Sequence, residues 1–164
     1  MTRRTALITG ASAGLGAEFA RQLSARDFDL VLVARRRDRL DALAEEFAGG
    51  TGRAATVLTA DLADPEAPQR LAEALAERGI AVDYLVNNAG AAGPDLLDDR
   101  DWSAQRRYFE LMMVSVAHLC HLFVPGMRER GWGRVVNVAS VAGRVARGGD
   151  TNYGPAKAYL VALS

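Results

Sequence analysis

Short apolar runs alternate along this chain with stretches whose apolar residues recur every three or four positions. Ala6-Leu7-Ile8, Asp29 to Ala34, Ala54 to Ala60, Val82 to Val86 and Val135 to Val138 read as strands. Between them, Leu15, Phe19, Ala20 and Leu23 mark one helical face, Leu40, Leu43, Ala44 and Phe47 a second, and Leu71, Ala74 and Leu75 a third. The glycines of Gly49-Gly50-Thr51-Gly52 are expected to stop the second helix, and Gly79 the third. Asp64 is the expected N-cap of that third helix, with Pro65 at its first position. One long helix is predicted from Trp102 to Arg130, apolar enough between Tyr108 and Val124 to be buried on most sides, and a last one from Tyr153 to Ser164. No repeat, linker or low-complexity tract interrupts the pattern.

Repeated strand–helix units with short apolar strands predict an α/β fold: a doubly wound parallel sheet of about five strands with helices on both faces. The whole chain, residues 1–164, reads as one domain of Rossmann type. Such sheets bind ligands beyond the carboxyl ends of their strands. Here those ends carry Gly10-Ala11-Ser12, Ala34-Arg35-Arg36, Asp61-Leu62, Asn87-Asn88-Ala89-Gly90 and Ala139-Ser140. Strand ends need turn residues, so any one of these groups is ordinary. Five on one rim point to a binding site.

The first turn is the most informative. Gly10 suits a tight turn, Gly14 lets the backbone approach a phosphate, and Gly16 lets the following helix pack close. Free N–H groups at that helix start, around Leu15, suit a pyrophosphate, although three glycines alone fit a ligand-free turn equally well. At the end of the second strand a fold that prefers NAD carries an acidic residue. Here Ala34 is followed by Arg35, Arg36 and Arg37, whose guanidinium groups can hold a 2′-phosphate. The pattern favours NADP(H), with NAD(H) left possible.

Composition changes this picture little. Formal net charge is zero, which gives no support to nucleic acid or an anionic membrane surface as a partner. No signal-peptide pattern precedes the first strand, and no apolar run is expected to reach transmembrane length, so the chain reads as cytoplasmic. The single cysteine, Cys120, lies among Leu119, Leu122 and Phe123 as a small core residue. His118 and His121 lack a third ligand nearby and read as packing residues rather than a metal site.

Candidate chemistry comes last in the chain. Ser140 ends the fifth strand, Tyr153 follows 13 residues later, and the only lysine, Lys157, comes four after Tyr153. On a helix Tyr153 and Lys157 share a face. A nearby ammonium favours the phenolate and would fit the phenol for acid–base work, while a serine hydroxyl could hold a substrate oxygen. Tyr-x-x-x-Lys alone reads rather as a packed aromatic beside a solvated lysine.

Together these residues resemble the short-chain dehydrogenase/reductase (SDR) family. Thr9-Gly10, Gly14 and Gly16 match its cofactor turn, Asn87-Asn88-Ala89-Gly90 its N-N-A-G stretch, and Ser140, Tyr153 and Lys157 its catalytic set. The resemblance implies that Gly10, Ala11, Ser12, Gly14, Leu15, Gly16, Arg35, Arg36, Asp61, Leu62, Asn87, Asn88, Ala89, Gly90, Tyr153 and Lys157 contact the cofactor. It further implies a small-molecule carbonyl or alcohol as substrate, Tyr153 as general acid/base, Ser140 orienting the substrate oxygen, and Lys157 binding the nicotinamide ribose. Family members pair the helices matching 102–130 and 153–164 between subunits, so a homo-oligomer is expected. Two departures matter. Met112 stands where the family carries an Asn, and the last part of the usual fold is absent from the 164 residues. A natural minimal protein, a truncated frame and a fragment all stay open. An impaired nucleotide-binding or scaffold domain is the alternative to an NADP(H)-dependent oxidoreductase. In either case the fifth strand would be an open sheet edge if nothing follows Ser164.

Overall fold

Five parallel strands form the sheet of this computed structural model, which describes residues 3–51 and 54–164. They are β1 (Thr5–Thr9), β2 (Asp29–Ala34), β3 (Thr56–Thr59), β4 (Val82–Asn87) and β5 (Arg134–Asn137), ordered β3-β2-β1-β4-β5. Alternate residues of β1 serve the two faces, as the strand period requires. Ala6 and Ile8 pack with helices α1 (Gly14–Ala25) and α2 (Arg37–Thr51), burying Leu23, Leu40 and Phe47. Leu7, with Val31, Val33 and Leu85, packs on the opposite face against Leu71 and Leu75 of α3 (Ala67–Ala76) and against Leu119 and Met127. Strand order reverses between β1 and β4, and that is where a doubly wound sheet opens a crevice.

A bulge marks the lower end of the β1–β4 ladder. Thr5 pairs with Val82 but Ala6 with Tyr84, and Asp83 is left over. Its carboxylate accepts from the Thr5 N–H at 3.1 Å and pairs with Arg130, whose guanidinium also donates to the Val82 carbonyl at 2.7 Å.

Several boundaries differ from the sequence expectation. Helix α2 runs through Gly49 and Gly50 to Thr51 instead of stopping at them, and Gly52 lies outside the described residues, as do Met1, Thr2 and Arg53. Strand β3 is shorter than Ala54 to Ala60. Helix α3 begins at Ala67, with Pro68 rather than Pro65 in its first turn. Asp64 does not cap it; its carboxylate accepts from the Glu66 N–H at 3.0 Å and pairs with Arg70, closing a turn ahead of the helix. Strand β5 starts and ends one residue early. Among the described residues β5 pairs only with β4.

The long helix is the largest departure. It consists of α4 (Trp102–Phe109), a π-helical turn over Glu110–Val114, and α5 (Ser115–Glu129). Asp101 caps its start, accepting from Ser103 and Ala104. By length and composition this 28-residue helix could cross a membrane, contrary to the expectation that no run would reach that length. It is not buried on most sides either. Tyr108, Met112, Ser115, Val116, Leu119 and Met127 form one buried stripe, while only 22% of its most apolar stretch is buried. Cys120 is half-buried beside that stripe, not fully in the core, and burial pushes its thiol pKa up. His118 is half-buried and His121 exposed.

Helix α6 (Tyr153–Leu163) follows a short 3₁₀ turn at Val141–Gly143. The three glycines of the first turn have separable roles. Gly10 and Gly14 adopt φ of +65° and +56°, where a side chain is strained. Gly16 is ordinary in backbone but tightly enclosed: a Cβ there would lie 2.3 Å from the Gly10 carbonyl oxygen and 2.5 Å from Asn88 Nδ2. A Cβ on Gly14 would meet nothing within 4 Å. Gly16→Ala is therefore expected to cost about 3 kcal/mol through overpacking against backbone, and Gly14→Ala about 1 kcal/mol through strain alone. Thermal unfolding of the two variants checks the order; equal melting points would refute it.

Candidate functional site

Thr9, the last residue of β1, sits at the point where strand order reverses. Its hydroxyl donates to the Val86 carbonyl at 3.2 Å and accepts from the N–H groups of Asn88 and Ala89, both at 3.0 Å. The Asn88 amide then donates back to the carbonyls of Thr9 and Gly10, at 3.0 and 3.3 Å. The turns after β1 and β4 are thereby locked together, with Gly16 pressed against both.

A cleft of about 390 Å³ opens above this lock, at the carboxyl ends of β1 to β4. Gly10, Ser12 and Leu15 line it from the first turn, and Arg35 and Arg36 from the end of β2. Asp61 and Leu62 line it after β3, and Asn88, Ala89 and Gly90 after β4. Six expected contact residues do not line it, and two of them, Tyr153 and Lys157, line the neighbouring cavity instead. Ala11 is buried, with its N–H on the Val33 carbonyl at 3.2 Å. Gly14 lies in the open at the helix start, and Gly16 is enclosed beneath. Asn87 is turned away from the cleft: its Nδ2 donates to Asn137 Oδ1 at 2.9 Å and reaches Cys120 Sγ at 3.5 Å.

The rim carries its own electrostatic order. Arg36 donates to the Ser12 hydroxyl at 2.9 Å, bringing a guanidinium to the first turn, and Arg37 is tied to Asp41 outside the cleft. Across the cleft, Arg107 of α4 donates to Asp61 Oδ2 at 2.8 Å, while Asp61 Oδ1 accepts from the Ala63 N–H. The start of α1 has no side-chain cap among the described residues and no acidic residue in its first turn. With Ala13 and Leu15 lining the cleft beside Ser12 and Arg36, this uncapped helix start fits an anionic phosphate group.

A second cavity of about 650 Å³ continues from the cleft past Leu15, Asn88 and Gly90. Ala91, Ala92, Gly93 and Met112 form one wall; Val138, Ala139, Tyr153 and Lys157 form the other. Tyr153 opens α6 and is 36% exposed, whereas Lys157 is 6% exposed. Lys157 Nζ donates to the Val138 carbonyl at 2.6 Å and lies 5.6 Å from the Tyr153 ring centre. Burial lowers the lysine pKa from its ordinary value. Ser140 is not brought into this lining. It caps the 3₁₀ turn, its Oγ accepting from the Ala142 N–H at 3.2 Å, which leaves its own proton free to donate. Met112 is buried in the π turn, its sulfur 3.2 Å from where a Cβ on Gly90 would stand.

Sequence patterns did not single out three side chains nearby. Gln105 and Asn152, both almost fully buried, are hydrogen-bonded to each other at 2.6 Å. Tyr108 is buried against Gly93, and its hydroxyl has no partner among the described residues. Their contacts join segments far apart in the chain, which no local periodicity signals.

The short-chain dehydrogenase family model matches residues 4–164. A fatty acyl-CoA reductase of Mycobacterium tuberculosis is 37% identical over 142 residues, 85% of this chain and 48% of that protein. Among solved structures, a short-chain dehydrogenase from Sphingobium yanoikuyae in complex with NADPH superposes with TM-score 0.90 at 36% identity, covering 98% of this chain and 62% of that one. The bulky-bulky ketone specific alcohol dehydrogenase from Comamonas testosteroni superposes with TM-score 0.91 at 31% identity, covering 99% and 65%. This chain thus spans between about half and two thirds of the length of those proteins. It belongs to the short-chain dehydrogenase family.

The isolated Tyr108 hydroxyl yields a test. Burial, with Asp150 and Tyr153 adding like charge, pushes its pKa up to about 12. In the unfolded chain it titrates near 10, approximately. Above that value the unfolded state loses a proton that the folded state keeps, so stability falls as pH rises from about 10 to about 12. Tyr108→Phe is expected to remove this part of the alkaline loss and to be neutral or stabilising near pH 7, since an unpaired buried hydroxyl is deleted. Urea unfolding of both proteins at pH 8 and pH 10.5 reads the difference; parallel losses would refute it.

Proposed function

We propose that this chain is the nucleotide-binding and catalytic part of an NADP(H)-dependent oxidoreductase that interconverts a carbonyl and a secondary alcohol. The observation that carries the reading is the pairing of Tyr153 and buried Lys157 one helical turn apart, on the wall of a cavity continuous with the cleft above the glycine turn. The phosphate-fitting start of α1 and the Arg36–Ser12 contact support a nicotinamide dinucleotide carrying a 2′-phosphate. When bound, that cofactor supplies or accepts the hydride.

The chain's own residues handle the proton. In the reducing direction the Tyr153 hydroxyl donates to the substrate oxygen, and in the oxidising direction its phenolate accepts the alcohol proton. The Lys157 ammonium, anchored on the Val138 carbonyl, stabilises the phenolate by charge. Asn88, Ala89 and Gly90 bound the cofactor cleft on the β4 side, and Asp61 and Leu62 flank its far end. Ser140, with its proton free, orients the substrate oxygen. The cavity around Tyr153 is walled by Leu15, Ala91, Ala92 and Met112, which suits a small carbonyl compound. The half-exposed apolar side of residues 102–130, with Val114 47% and Tyr159 of α6 37% exposed, supports a homo-oligomer through these two helices.

Oxidation of NADPH by the purified chain against a panel of ketones and aldehydes tests the reading, and no turnover with any of them would sink it. Tyr153→Phe should lower kcat at least a hundredfold, the scale of general acid–base catalysis. The Kd for NADPH should stay within about threefold, because the hydroxyl is asked only to move a proton. NADPH should bind at least about tenfold tighter than NADH, a difference of about 1.4 kcal/mol. Arg36→Ala should abolish that margin in fluorescence titrations; an unchanged margin would remove Arg36 from the 2′-phosphate site.

A further inference from the structure

Tyr153 occupies the least restrained position of its helix. The first residue of a helix lacks the backbone bonds that fix interior residues, and helix ends fray. Lys157, one turn further in, is held by the Val138 carbonyl, whereas among the described residues no hydrogen bond is made by the Tyr153 side chain. What fixes the tyrosine must therefore come from its chain neighbours.

Asn152 immediately precedes it, at the N-cap position, and is 4% exposed. An Asn there ordinarily caps its own helix, but this side chain makes no capping bond. Capping falls instead to Asp150, whose carboxylate accepts from the Gly154 N–H at 2.9 Å. The Asn152 amide points across the fold, with Nδ2 donating to the Pro94 carbonyl and to Gln105 Oε1, both at 2.6 Å. Gln105, 1% exposed, donates in turn to the carbonyls of Asp95 and Asp99 at 2.8 and 3.2 Å. Neither amide lines the cavity. Together they link three segments: the loop that continues from the cavity wall at Gly93, helix α4, and the residue before Tyr153. A second tie, from the Leu96 N–H to the Thr151 hydroxyl at 2.8 Å, runs parallel.

We propose that the buried Gln105–Asn152 pair consists of positioning residues for Tyr153, fixing its phenol across the cavity from the Gly93 wall and in register with Lys157. The role in turnover rests on the oxidoreductase reading; the geometric part does not. Buried amide pairs with every donor matched specify one arrangement, and losing one partner leaves the other unsatisfied. Loosening the first residue of α6 would move Tyr153 while Lys157 stays anchored, so the loss should fall on proton transfer rather than on cofactor binding.

The test uses Asn152→Ala, Asn152→Asp, Gln105→Met and the double variant Gln105→Met/Asn152→Ala. Each single variant should lower kcat at least tenfold, with KM and the NADPH Kd within threefold. The double variant should be no worse than about the poorer single one, because both break one link. Independently of activity, the chain has only four tyrosines, so NMR of ring-labelled protein resolves Tyr153, assigned with Tyr153→Phe. Its resonance should shift or broaden in every variant while those of Tyr84 and Tyr159 hold. If the unmodified chain reduces no carbonyl, the oxidoreductase reading fails, and the Tyr153 resonance alone decides the positioning. An unchanged Tyr153 resonance, a shift without loss of kcat in an active chain, or loss of all tyrosine signals in every variant would overturn the proposal.

Discussion

One hydroxyl group holds the centre of this molecule. Thr9 ends the middle strand at the place where the sheet reverses its winding, and its side chain ties the end of β1 to the turn after β4. Of its three hydrogen bonds to the end of β4 and the turn after it, one is buried and two are half-buried, and each is worth about 1 kcal/mol net. The larger effect is geometric. With the two turns fixed, Asn88 can reach back to the Thr9 and Gly10 carbonyls, and α1 can approach closely enough that only glycine fits at residue 16. The floor of the cleft, the placing of the α1 start and the path from cleft to cavity all follow from that contact.

Around this fixed floor the charges are arranged locally, in a chain whose formal net charge is zero. The end of β2 offers arginines and no carboxylate, and Arg36 is held over the first turn by Ser12. The one carboxylate lining the cleft, Asp61, is matched by Arg107 reaching over from α4. An anionic ligand therefore meets a favourable field at one end and a paired acid at the other. The pair is half-exposed and contributes little to stability; its place is what matters.

Much of this was legible in the sequence, for identifiable reasons. Ala6-Leu7-Ile8 and Leu30 to Val33 are buried on both faces, so they appear as unbroken apolar runs. Gly10 and Gly14 carry the positive φ angles that only turn chemistry demands. Tyr153 and Lys157 share a face because α6 is regular. What failed was whatever depends on competition or distance. Asp64 had two uses open to it, and pairing with Arg70 in a preceding turn displaced capping. Asn87 and Asn88 are adjacent and chemically identical, yet the strand period sends one toward Cys120 and the other to the cleft. Gln105 and Asn152 stand 47 residues apart, and nothing in either neighbourhood marks their bond.

The π turn at Glu110–Val114 bears on how this chain can change length. Each residue of an α-helix advances the side-chain direction by roughly 100°, and a π turn absorbs one residue more than an α turn would. Deleting a single residue there would leave an unbroken α-helix, locally as good or better. It would also swing all of α4 by more than a quarter-turn about its axis relative to α5. Arg107 would leave Asp61, Gln105 would leave Asn152, and Tyr108 would leave Gly93, although none of those residues had been altered. In this helix the count of residues is itself a conserved quantity of the geometry, and a frame-preserving one-residue deletion would do more harm than most substitutions.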